Sequence, residues 1–301
     1  MKIYNIRYSI CRFKIYFNKD FIMPENKNSG IRGIIGQELL KRYCIGNRKC
    51  DECAFTESCI SYNFMNLKLK RQVDFLANDR IPPYIIICND TSKEVKKNQS
   101  MEFFITFFGD CITMISEIIR SVNLAGRDFG LFNCPFTLKE VVNDEYDCIF
   151  KNGIYKLENI KCRIVEDYVN YRIKSLDNDI FKFKIITPLR IKDNGKFNDD
   201  VSEENLIKML IRRIDVMNAL EGNEVYFKEN KYNLTILDKK ITWKENKRYS
   251  NRQNSKMSLG GIMGEIKFKC NDIELMKMFV ACEILHIGKN SSFGLGAYFI
   301  E

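Results

Sequence analysis

The chain predicts an α+β protein made of two tandem ferredoxin-like units, each in β-α-β-β-α-β order. Two observations lead there. Segments that alternate apolar and polar residues interleave with segments whose apolar residues recur at helical spacing. The second half of the chain gives these segments in the ferredoxin-like order, and the first half follows the same order less cleanly. No sequence repeat joins the halves, so the duplication rests on element order alone. The N-terminal unit is placed over residues 1–168 and the C-terminal unit over residues 169–301.

In the first unit, residues 3–17 alternate and are rich in β-branched and aromatic side chains, as a strand requires. Gly30 to Tyr43 carries Ile31, Ile34, Ile35, Leu39 and Leu40 at helical spacing. A cysteine-rich loop follows. Pro82-Pro83 then opens a buried-strand run from Tyr84 to Cys88; Met101 to Phe108 reads as a strand and Cys111 to Val122 as a helix. Strands resume between Asp147 and Ile164. In the second unit, Ile180 to Pro188 is a strand and Glu203 to Leu220 an amphipathic helix with Leu206, Met209, Leu210, Ile214 and Met217 on one face. Ser202 is its N-cap. Strands follow at Tyr232–Trp243 and Leu259–Lys269, then a helix from Asn271 to Leu285 and a closing strand from Phe293 to Ile300.

With 301 residues and 45% hydrophobic composition, the chain can bury a substantial core. Its net charge of +9 fits a polyanionic partner and fits a solvated basic surface almost equally well. The most apolar run, Met101 to Ile119, is broken by Glu102, Asp110 and Glu117, so no membrane span is expected. The charged N-terminus lacks a signal core, which predicts a cytoplasmic protein with reduced cysteines.

Three motifs carry chemistry. The first runs from His286 through Gly288, Lys289, Ser291, Ser292 and Gly294 to Gly296. Glycines permit positive φ and close backbone approach to a phosphate; Lys289 supplies charge and the two serines supply donors. Nucleotide-binding loops connect a strand to a following helix, whereas this loop leaves a helix and enters a strand, so those readings fall away. A tight helix-to-strand turn with Gly288 as C-cap stays open. His286 is the single histidine, and an imidazole with an ordinary pKa of about 6.5 suits proton transfer near neutral pH.

The second motif is Cys44, Cys50, Cys53 and Cys59. Four thiolates within one loop can close a tetrahedral site, with structural zinc the first choice and an iron–sulfur cluster the alternative; unliganded cysteines stay open too. The third motif, Lys247 to Lys256, holds Arg248, Tyr249, Arg252 and Lys256 and no acid. A basic hairpin tip of this kind suits phosphate contact with Tyr249 stacking on a base, and a solvated loop would look the same.

Together these segments resemble the CRISPR-associated endoribonucleases that process precursor CRISPR RNA, members of the RAMP superfamily. The resemblance rests on Leu285 to Gly296, on Leu259-Gly-Gly-Ile-Met-Gly-Glu265, on Arg248 to Gln253, and on Thr187-Pro-Leu-Arg190 with Leu210-Ile-Arg-Arg213. Gly30 to Gly36 and the four cysteines resemble the family's longer, cysteine-bearing branch. The resemblance implies metal-independent cleavage of CRISPR repeat RNA, with no cofactor for catalysis, by attack of a 2′-hydroxyl that leaves a 2′,3′-cyclic phosphate. His286 and Lys289 would then be catalytic, and Gly288, Ser291, Ser292, Gly294, Gly296, Arg248, Tyr249, Arg252 and Lys256 would bind RNA. The chain departs from the family in one respect: many relatives keep a catalytic histidine near the first helix, and this chain has none there. The alternative is a non-catalytic RNA-binding subunit of a CRISPR effector complex. Effector-complex subunits and a second copy of the chain are the protein partners left open.

Overall fold

The computed structural model describes residues 3–176, 178–193, 195–225, 227, 232–245, 247–250 and 255–301; for residues 193, 247–250 and 255–258 only the backbone is described. The chain forms two compact units. One comprises Arg7–Lys68 and Ala77–Arg163; the other comprises residues 3–6, Leu69–Leu76 and Ile164–Glu301.

The N-terminal unit has β1 (Arg7–Phe17), α1 (Asn28–Tyr43), β2 (Tyr84–Ile87), β3 (Ser100–Phe108), α2 (Ile115–Asp128), β4 (Phe136–Val142) and β5 (Cys148–Lys151). Its principal strands lie in the order β5–β4–β1–β3–β2, with every pair antiparallel. The four strands β4–β1–β3–β2 reproduce the ferredoxin-like order. Alternation along β1 buries Cys11, Phe13, Ile15 and Phe17, and Phe13 stacks on Phe103 of β3 with centroids 4.9 Å apart. Ile31, Ile34, Ile35 and Leu39 of α1 join that core, as their spacing predicts. The strand β4, which the sequence does not announce, pairs with β1 across a register shift at Lys14/Ile15.

The C-terminal unit has α3 (Val165–Arg172), β6 (Ile180–Leu189), α4 (Glu203–Glu221), β7 (Thr235–Lys244), β8 (Gly261–Lys269), α5 (Ile273–Leu285) and β9 (Tyr298–Ile300). Its sheet order is β7–β8–β6–β9, again antiparallel and again ferredoxin-like. Ser202 caps α4 by accepting from the Asn205 N–H, and Gly222 closes that helix in the left-handed region at φ 82°. Asp272 caps α5 by accepting from the Glu274 and Leu275 N–H groups. Phe183, Phe268, Phe279 and Tyr298 form the aromatic centre of the core, and the Tyr298 hydroxyl donates to the Phe279 carbonyl at 2.6 Å.

Leu69–Leu76 comes from the first half of the chain yet packs within the C-terminal unit. The Lys70 and Arg71 N–H groups both donate to the Ala219 carbonyl, and the Arg71 guanidinium donates to the Asn223 carbonyl and pairs with Asp215. These bonds add to the Gly222 N–H in capping the last turn of α4, where carbonyls lack the i+4 donors of the helix interior.

Candidate functional site

The glycine-rich loop is built against the end of β6. His286 ends α5 at φ 58°, and Gly288, Asn290, Gly294 and Gly296 all take positive φ. Two of the glycines have a steric reason as well. A Cβ on Gly288 would stand 2.6 Å from the Arg190 carbonyl oxygen, and one on Gly296 would stand 1.7 Å from that of Ile287. The Lys289 N–H donates to the Arg190 carbonyl at 2.9 Å, the Gly296 N–H to the Pro188 carbonyl at 3.1 Å, and the Ile287 N–H to the Gly296 carbonyl at 3.1 Å. Ser291–Phe293 form one 3-10 turn, closed by the Phe293 N–H to Asn290 and the Gly294 N–H to Ser291. Much of the loop's backbone donor capacity is therefore spent inside the fold. The glycines serve close packing on β6, and the surface is left to side chains.

That changes the distribution of roles within the motif. Lys289 and Asn290 are exposed and Ser291 is half-buried, whereas Ser292, Gly294 and Gly296 are buried. Phe293 and Leu295 form a small apolar cluster with Leu259 beneath the loop.

His286 is placed differently from the sequence expectation. Its side chain is 4% exposed, and Nδ1 lies 3.2 Å from the Leu295 carbonyl. A carbonyl only accepts, so Nδ1 carries the proton. Burial, together with the positive charge of Arg213, pushes the imidazole pKa down to about 4, against a partial upward pull from the Leu295 bond. Arg213 is half-buried, its Nε donating to the Leu285 carbonyl at 2.8 Å, and loss of solvent around it lowers its pKa to about 10. The ring thus faces into the fold and acts as a neutral clamp across the loop.

This placement has a pH consequence. The folded pKa of about 4 lies below the ordinary 6.5, so the unfolded chain takes the proton first. The His286 contribution is fully present above pH 6.5 and is lost as pH falls toward 4. A shift of that size corresponds to roughly 3 kcal/mol. We expect unfolding free energy to drop between pH 7 and pH 5 in the native chain. In His286→Asn, which keeps a donor but cannot titrate, that part of the drop should disappear.

Arg190, just past the end of β6 and part of the Thr187–Arg190 segment, is central to the loop. It is 6% exposed, donates from Nη1 to Asn290 Oδ1 at 2.8 Å, and lies 4.0 Å from the centroid of the Phe197 ring. Its Nε has no partner among the described residues. Burial lowers its pKa, opposed by the Glu245 carboxylate. A buried guanidinium and an exposed ammonium thus share one end of the loop. Gly260 and Gly261 are buried next to Leu259, which packs under the loop, and a Cβ on Gly261 would meet the Leu189 carbonyl at 2.7 Å.

The basic segment forms a hairpin of Lys247–Ser250 against Ser255–Ser258, which sets Tyr249 opposite Lys256 and Arg248 opposite Met257. Arg252 lies outside the described residues, and the side-chain directions of Arg248, Tyr249 and Lys256 lie outside them too.

Among the described residues, no three His, Cys, Asp or Glu side chains are grouped to hold an ion. Cys44, Cys50, Cys53 and Cys59 are all free thiols. They are near one another, since burial first and then the Cys44, Cys59 and Cys53 thiols raise the Cys50 pKa. The loop is organised by its own hydrogen bonds: Thr56 Oγ1 donates to the Cys50 carbonyl at 2.7 Å and to the Cys53 carbonyl at 2.8 Å, between two 3-10 turns. Zinc is therefore not supported by the arrangement. No helix among the described residues is long and apolar enough to cross a membrane.

Comparison with known proteins adds to this geometry. The AF_1859_N family, described as an N-terminal domain, matches residues 6–163, and the family described as CRISPR-associated endoribonuclease Cas6 matches residues 183–298. No curated protein matches the chain. Among solved structures, a partial Cas6-RT-Cas1–Cas2 complex aligns with TM-score 0.64 and 11% identity over 98% of this chain and 46% of that one. In the fuller complex the chain spans 29% of its counterpart. A Cas6 product complex aligns with TM-score 0.56 and 10% identity over 98% of this chain and 100% of that one. A Cas6 from Thermus thermophilus gives 0.53 and 8%, over 98% and 99%. These structures share the two-unit ferredoxin-like fold. The AF_1859_N model covers more than half of the chain and the Cas6 endoribonuclease model covers the sheet and loop that form the site, so the chain belongs to the AF_1859_N family and carries a Cas6-type C-terminal unit.

Proposed function

We propose that this chain is an endoribonuclease that cuts CRISPR repeat RNA without a metal ion in the reaction. The observation that carries the reading is the cationic end of the glycine loop, where exposed Lys289 stands beside buried Arg190 with its unengaged Nε. The reaction needs little else from the protein. A ribose 2′-oxygen attacks the adjacent phosphorus, the P–O5′ bond breaks, and the products are a 2′,3′-cyclic phosphate and a 5′-hydroxyl. The 2′ proton leaves to solvent, and the 5′-oxygen takes one up. In-line attack depends on alignment and on charge stabilisation of the phosphorane oxygens. Lys289 contacts the phosphate, while Arg190 adds positive potential from beneath and fixes Asn290.

His286 holds the loop and does not exchange protons with RNA. The rate-against-pH profile of cleavage should accordingly show no inflection near 6.5, and a clear inflection there that vanishes in His286→Asn would reinstate the histidine as a reacting group.

One observation favours a second reading, a Cas6-type subunit that binds repeat RNA and does not cut it: the only imidazole in the chain is enclosed. Single-turnover reactions with protein in excess over repeat RNA separate the two. Cleavage of the bound RNA supports the endoribonuclease, and RNA that stays bound and intact supports the binding subunit.

A further inference from the structure

The open face of the C-terminal sheet is lined with lysines. Alternation along β6 turns Phe181, Phe183 and Ile185 into the core and Lys182, Lys184 and Ile186 outward. On β8, Ile266 and Phe268 turn inward and Lys267 and Lys269 outward. Register then sets Lys182 directly opposite Lys267. In the neighbouring row, Lys240 faces Glu265, which faces Lys184, which faces Phe299 of β9. All five lysines are exposed. Lys184 pairs with Glu301 and Lys269 with Asp179, each at 3.0 Å, but Lys182, Lys240 and Lys267 form no ion pair among the described residues.

Like charges directly opposite on a sheet destabilise it, and the Lys182–Lys267 pair is flanked in its row by Asp238 of β7 and by Glu301, which pairs with Lys184. A polyanion laid on the face would pair with the three lysines that form no ion pair among the described residues. Phe299 supplies the other half of such a surface. Its ring is 38% exposed, with the Arg172 guanidinium 4.6 Å from its centroid. Exposed cations on the same sheet face as an exposed aromatic ring fit phosphates and a stacked base. The face also connects to the loop: Lys184 lies six residues before Arg190 along β6, roughly 20 Å of strand.

We propose that this sheet face is a second RNA-binding surface, which takes a single-stranded segment of the RNA whose phosphate the glycine loop holds. Phosphates lie on Lys182, Lys240 and Lys267, and a base stacks on Phe299. The inference rests on the RNA-binding reading above, and it does not depend on whether the protein cuts.

The test is the salt dependence of RNA binding by the whole chain. Lys182→Ser/Lys267→Ser alters exposed positions, and circular dichroism checks that the fold is kept. Each lost phosphate contact on a single strand lowers the slope of log affinity against log salt by about 0.7, so the double variant should be shallower by about 1.4. The effect should appear with a repeat RNA extended by a single-stranded flank and shrink with a trimmed RNA, while the cleavage rate of bound RNA stays unchanged. Phe299→Ala should weaken binding of the extended RNA without changing the slope. Equal slopes for native and variant chains on the extended RNA would overturn the proposal, even if the variant loses affinity for an acidic protein. Cleavage by the native chain tests the earlier reading separately.

Discussion

Gly296→Ala should unfold the C-terminal unit far more readily than any surface change. Gly296 sits at φ 72°, where an L side chain is strained, and its new Cβ would stand 1.7 Å from the Ile287 carbonyl oxygen. That oxygen belongs to the backbone and cannot swing away. The Gly296 N–H and carbonyl both tie the loop, to Pro188 and to Ile287, so relieving the clash breaks the bonds that dock the loop on β6. Left-handed strain alone costs about 1–2 kcal/mol, and with the clash and the lost bonds we expect about 3 kcal/mol or more. Trp243, the single tryptophan, lies on β7 in the same unit, so its fluorescence during urea unfolding reads this loss. Gly33→Ala is the control, since a Cβ there meets nothing within 4 Å. A Gly296→Ala chain as stable as the native one would mean the loop does not pack as described.

Lys289→Ala should have the opposite signature: little effect on stability and a large one on RNA chemistry. The side chain is exposed, and its backbone N–H, which holds the loop to Arg190, survives the substitution. Removing one group that stabilises charge in the transition state typically costs about 10²–10³ in rate. We expect that loss in single-turnover cleavage at saturating protein, with binding weakened much less. Near-native cleavage by Lys289→Ala would move the reacting phosphate away from this loop.

The fold was largely legible because alternation and helical spacing report burial. The buried residues of β6 fall on every second position, and Leu206, Leu210, Ile214 and Met217 fall on one face of α4, where the sequence places them. Some elements escaped. The strand β4 loses its alternation near Glu140, beside the shifted register, so period-two counting fails there. The helix α3 is eight residues long and buries only Val165 and Val169, too few to define a stripe. The excursion of Leu69–Leu76 rests on main-chain bonds to Ala219, which no side-chain pattern encodes.

The site was legible as a loop but not as a division of labour. Glycine, lysine and histidine within eleven residues mark a place where the backbone does something special. Which way each side chain points depends on φ at His286 and on the close approach of the Arg190 backbone, and both are tertiary facts. Proximity in sequence suggested a reacting imidazole; the positive φ instead turns the ring inward to Leu295. Arg190 was hidden for the same reason, since it reaches Asn290 from a position 100 residues away.

The most direct test of the central claim is end-group analysis of repeat RNA incubated with the whole chain in excess EDTA. One internal cut is expected, with a 2′,3′-cyclic phosphate on the upstream fragment and a 5′-hydroxyl on the downstream one. Cleavage that requires added divalent metal, or a product ending in a 3′-hydroxyl and a 5′-phosphate, would contradict it.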